Sequence, residues 1–88
     1  MTGRSALKVY VVETGCNFEG GSAIGVCTTL EKAVAWVHRY LMQARNLPPL
    51  SEWVVREPLN TLHRGGKEVY RRSTKFDYIS VTQFAVED

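Results

Sequence analysis

The sequence predicts an α+β domain of two layers: one helix packed on one face of an antiparallel sheet of four or five strands, in the chain order ββαβββ. Three observations predict it. In TTLEKAVAWVHRYLMQAR, residues 28–45, the apolar Leu30, Val34, Val37, Leu41 and Ala44 step by four, three, four and three. They therefore share one face of a 3.6-residue helix, with Ala33 beside them. On either side of this stretch the apolar residues alternate as they do in strands. Lastly, a chain of 88 residues has room for one modest core, and a small sheet needs the covering layer that a single helix supplies.

The elements follow in order. Residues 1–6 are small and polar without periodicity and read as a flexible tail, so the domain is residues 7–88. LKVYVVE, 7–13, is the first strand: Leu7, Val9 and Val11 point one way, Lys8, Tyr10 and Val12 the other. Apolar groups on both faces predict a central position. The turn-rich TGCNFEGGS follows, with Gly15, Asn17, Gly20 and Gly21 suited to positive φ, and SAIGVC, 22–27, returns as an antiparallel second strand. Thr28 and Glu31 have the spacing of a capping box at the helix start, and Asn46 with Pro48-Pro49 ends the helix. The linker 46–52 is stiffened by its prolines. WVVRE, 53–57, is a third strand stopped by Pro58. Gly65-Gly66 is a turn from which KEVYRR, 67–72, returns as a fourth. YISVTQFAV, 78–86, is the last strand. Its phase shifts, Ile79 and Val81 sharing one face and Phe84 and Val86 the opposite one, which predicts a bulge near Thr82-Gln83.

The opening KVYVVETG, the GGS and GVCTTLEKA after it, and the closing DYISVTQFAVED resemble a class of small uncharacterised proteins of phages and prophages. In those, a strand of the VYVV kind leads through a polar loop to GVFST-EKA, then a helix, then a strand ending in an acidic C-terminus. The resemblance spans roughly residues 8–37 and 77–88 and leaves 46–76 uncovered. It implies the same strand–loop–strand–helix start and a phage-like provenance. It carries over no catalytic residue.

With 44% hydrophobic and 23% charged residues the chain reads as globular. No apolar run approaches the roughly 20 residues of a membrane span. The first residues hold no apolar signal core, so the expected place is the cytoplasm of the host cell, with Cys16 and Cys27 as reduced thiols. Cys16, Cys27, His38 and His63 lack the short spacings of metal ligands. There is no G-x-S-x-G, and the glycines of 20–25 are followed by neither a P-loop lysine nor a helix. Glu13 and Glu19 flank a loop, and Glu87 and Asp88 close the sequence. The expectation is a protein without catalytic residues, cofactor or metal.

Two binding expectations remain. Trp36, Tyr40 and Trp53 each fit the rim of a small core, but together with Phe18 and Met42 they amount to more large apolar surface than the helix stripe needs, and aromatic residues are enriched at protein interfaces. With the phage resemblance, this leads to a protein that binds and inhibits a host protein, in the manner of an anti-defence or anti-CRISPR-like inhibitor; a homodimer would absorb the same surface. Arg64, Lys67, Arg71 and Arg72 are the further candidate contacts. Together with Lys75 they put five of the chain's eleven Lys and Arg residues, and one of its nine acids, between 63 and 75. A basic hairpin of this kind can track a phosphate backbone, so the alternative is a small nucleic-acid-binding protein.

Overall fold

A computed structural model describes residues 7–16, 20–59, 62–63 and 65–86. The expected tail and the candidate contacts Phe18 and Arg64 lie outside the described residues. Six strands form one antiparallel sheet: β1 (Leu7–Cys16), β2 (Gly20–Cys27), β3 (Val54–Arg56), β4 (Leu62–His63), β5 (Gly66–Ser73) and β6 (Asp77–Val86). Their order is β2-β1-β6-β5-β3, and β4 also pairs with β5. The helix α1 (Leu30–Gln43) packs on β1, β2 and β6. This is the predicted α+β fold with a two-residue strand added.

β1 has the predicted central position, with β2 on one side and β6 on the other, and pairs with β6 at every position from Leu7↔Val86 to Cys16↔Asp77. The segment 13–22 departs from expectation. Thr14, Gly15 and Cys16 continue in β1 and pair with Ser22, Gly21 and Gly20 of β2, where a glycine-rich loop was predicted. The reason is close approach. A Cβ at Gly21 would lie 2.4 Å from the Thr14 carbonyl oxygen and 2.5 Å from the Tyr78 hydroxyl. Gly21 thus serves to let Tyr78 cross the strand.

The bulge predicted near Thr82-Gln83 is absent from β6, whose register with β1 is unbroken. The register shifts fall instead between Glu68 and Tyr70 of β5, opposite Thr82 and Val81, and between β1 and β2 at Val12/Glu13. The phase change in β6 has a simpler cause. Ile79 and Val81 lie buried beneath the helix, whereas Phe84 belongs to the opposite face.

The N-cap is Thr29, one residue later than predicted: its Oγ1 accepts from the Lys32 N–H at 3.1 Å. A box between Thr28 and Glu31 is therefore not formed. The buried line of the helix is Ala33, Val37 and Leu41, with Trp36 and Tyr40 packed against the core, while Leu30 is 37% exposed. The inward face is thus turned from the Leu30–Val34 side toward Trp36. Gly25 accounts for this, because the indole lies against it, where a Cβ would come within 3.0 Å.

The core comprises Val12, Ala33, Val37, Leu41, Trp53, Ile79 and Val81, with Leu47 and Leu50 of the proline-bearing linker packed against it. The molecule is elongated, 48 × 24 × 19 Å. A 14-residue helix spans about 21 Å and a 10-residue strand about 33 Å. The helix is therefore shorter than the strands it covers, and it covers one side only.

Candidate protein-binding surface

In a strand, successive side chains point to opposite faces, and directly paired residues share a face. Tyr10, Val12, Val81 and Ile79 face the helix. Leu7, Val9, Val11 and Glu13 of β1 therefore face away, as do Tyr78, Ser80, Thr82 and Phe84 of β6 and Arg71 of β5, their register partners. On this open face Val9 is opposite Phe84, and Val11 lies between Val26 and Thr82. Leu7 is 55% and Val26 66% exposed, with Val9, Val11 and Phe84 partly buried. The Phe84 ring also reaches across β5: a Cβ at Gly66 would meet it at 2.5 Å. One end of the open face is therefore a continuous apolar strip running from β2 to β5.

The other end is polar and tied together. The Arg71 guanidinium sits 4.7 Å from the centre of the Tyr78 ring and donates to Glu68 Oε1 at 2.8 Å. Glu68 Oε2 also accepts from the Leu59 backbone N–H, which fastens the chain after β3 to β5. Burial raises the Tyr78 pKa above its ordinary 10.0, the Glu13 carboxylate raises it further, and Arg71 works against both. Ser80 and Thr82, in the middle of this face, are buried between Glu13, Val11, Arg71 and Glu68, their cross-strand neighbours.

Those residues singled out in the sequence that the structure describes do not converge. Trp53, an expected contact, is 1% exposed and belongs to the core, its Nε1 donating to the Pro48 carbonyl at 3.1 Å. Trp36 and Tyr40 stack with centroids 5.3 Å apart and planes at 16°, partly buried on the β2 flank of the helix. Arg71 lies on the open face, but its neighbour Arg72 lies on the helix face. There Arg72 donates from Nε to the Trp53 carbonyl at 2.8 Å, and its Nη1 is 3.1 Å from His38 Nε2. Lys67 pairs with Gln83, which donates to Tyr10, and so it too belongs to the helix side. Lys75 stands in the turn before β6, 5.4 Å from the Phe76 ring centre. The basic stretch is thus divided between two faces and a turn, and β5 is an inner strand. The single phosphate-tracking strip anticipated from the sequence is not formed by the described residues.

The open-face residues Val9, Val11, Tyr78 and Phe84 were not singled out as contacts. Their signal lay in the outward parity of Leu7, Val9 and Val11 and in the opposed phase of Phe84. Among the described residues no group of three His, Cys, Asp or Glu side chains is placed to hold a metal ion, and no helix is long and apolar enough to cross a membrane. Comparison with known protein families, curated proteins and solved structures returned no match.

Proposed function

We propose that the chain is a non-enzymatic accessory protein of phage type that binds and inhibits a host protein, docking through the open face of its sheet. One observation carries this reading. The uncovered face of an antiparallel sheet is ordinarily polar, whereas here it carries Leu7, Val9, Val11, Val26 and Phe84 beside Tyr78 and Arg71. Aromatic residues and arginine next to an aliphatic strip are what a desolvated protein interface uses. Inhibition, and a host target, rest on the resemblance to phage proteins; a component of a bacterial defence system is the target class that provenance favours. Nucleic-acid binding by the 63–75 segment would have to draw on cations that face opposite ways.

The test is capture of a partner from bacterial lysate by the tagged chain, with and without nuclease and at two salt concentrations. The expected result is a stoichiometric protein partner that survives nuclease and high salt. It should be lost with the double variant Leu7→Lys, Phe84→Ser. Recovery of nucleic acid alone, released by salt, or partner capture indifferent to the double variant, would overturn the reading.

A further inference from the structure

The two edges of the sheet are built differently. On one side the edge is divided between β3, three residues with Arg56 and then Glu57-Pro58, and β4, two residues. Short strands, charge and proline are the ordinary protections against pairing with another chain. The other edge is β2, GGSAIGVC, eight residues with no charge and no proline. Among the described residues no strand pairs with its outer side. Its one protection among the described residues is the bulge at Ile24, which leaves Gly20–Ala23 as a regular stretch.

We propose that β2 pairs antiparallel with β2 of a second copy of this chain, forming a symmetric dimer with one continuous sheet. The occupant follows from the strand itself. An uncharged strand of small residues offers no electrostatic selection for a charged partner, and it lets an identical strand approach closely. Isologous pairing covers both bare edges in one step and closes. The surroundings fit as well. Antiparallel neighbours are related by a two-fold axis perpendicular to the sheet, so both helices lie on the same side. With each helix seated over β1, the two β1 strands stand three strand spacings apart, about 14 Å. Packed helix axes usually stand about 8–10 Å apart. The excess is space for large side chains, and the Trp36 indole, stacked on Tyr40, lies over Gly25 on the side of that gap in each copy. On the other side Val26, 66% exposed in the single chain, flanks the same axis. The two open faces then lie side by side as one surface.

One strand edge with its flanking side chains falls below the usual size of a tight interface, so a dissociation constant on the order of 10 µM is expected. Sedimentation equilibrium of the purified chain, from about 1 to 200 µM to bracket that value, should show the mass rising from 9.9 kDa toward twice that. Ala23→Lys and Val26→Lys, both at exposed positions, should weaken association at least tenfold while the circular dichroism melt stays in place. In a chain with Cys16→Ser and Cys27→Ser, a single cysteine at Ser22 or at Ala23 should cross-link between copies at one position and not at its neighbour. A monomer at every concentration, or a dimer indifferent to both lysines, would overturn the proposal. So would a chain that is monomeric when pure yet loses its captured partner on Ala23→Lys, since the edge would then belong to that partner. Leu7→Lys, Phe84→Ser leaves β2 untouched, so failure of host-protein docking and failure of the dimer are read separately.

Discussion

The helix-facing and open sides of the sheet share the same strands, yet they answer to different demands. On the helix side Val12, Ile79 and Val81 are fully buried under Ala33, Val37 and Leu41, and Trp53 closes the layer from the linker. On the open side Val9, Val11 and Phe84 line up by register just as regularly, yet they are only partly buried, and the helix lies on the opposite face. Burial of apolar surface is what stabilises such a domain, at about 25 cal/mol per Å². Side chains that are only partly buried gain less of it, so their arrangement leaves apolar surface for a use outside the fold. Substitutions should accordingly split, with stability lost on the helix side and binding lost on the open side.

The sharpest break between the sides is Trp53→Ala. It should cost about 3–5 kcal/mol in denaturant unfolding, as deletion of a buried aromatic does. Leu7→Lys on the open face should stay within about 0.5 kcal/mol of the parent. Gly21→Ala comes next, at about 2–3 kcal/mol, because its Cβ would press on the Thr14 carbonyl, which cannot yield as a side chain can. Gly25→Ala should cost less, about 1 kcal/mol, and shift the Trp36 fluorescence, since the neighbour that must move is a ring. Thr29→Ala should remove about 1 kcal/mol, whereas Thr28→Ala should leave the thermal midpoint in place. Equal losses at the two threonines would displace the cap.

The smallest effect expected is the titration of Tyr78. Its raised pKa means the folded chain holds that proton more firmly than the unfolded one. The associated stability is fully present below pH 10 and is lost as pH rises through the folded pKa. Phenolate absorbance, compared with Tyr78→Phe, should place Tyr78 above the ordinary 10.0. Glu13→Gln should bring it down, and Arg71→Ala should drive it further up.

Much of the helix side was legible because periodicity reports burial. The 28–45 pattern, the alternating 7–13 and 78–86 stretches and the Gly65 turn each stand close to where they were expected, Gly65 with φ +81°. The misreadings share a physical cause. Gly21 read as a loop residue and Gly25 as an ordinary strand residue, but each is a place where an aromatic side chain of another element, the Tyr78 hydroxyl or the Trp36 indole, comes against the backbone. Local sequence does not encode which ring arrives. Trp53 read as a rim residue or a contact, not as the largest core side chain, because nothing nearby in the chain announces that the Pro48–Trp53 corner folds beneath the helix. Arg71 and Arg72 read as one charge cluster because a count of cations ignores the alternation that sends them to opposite faces.

The ladder between β1 and β6 has a consequence for synthesis. It joins residues 7–16 to residues 77–86 at ten successive positions, so β1 waits for β6, made about 60 residues later. While the ribosome is still adding the middle of the chain, the β1–β2 hairpin exists without its principal neighbour, and the inner side of β1 is as bare as the outer side of β2. Contacts so distant in sequence slow folding. The nascent hairpin therefore spends its longest exposed interval with two unpaired edges, and co-expression with a chaperone that shields extended segments should raise yield more than lowering the temperature does.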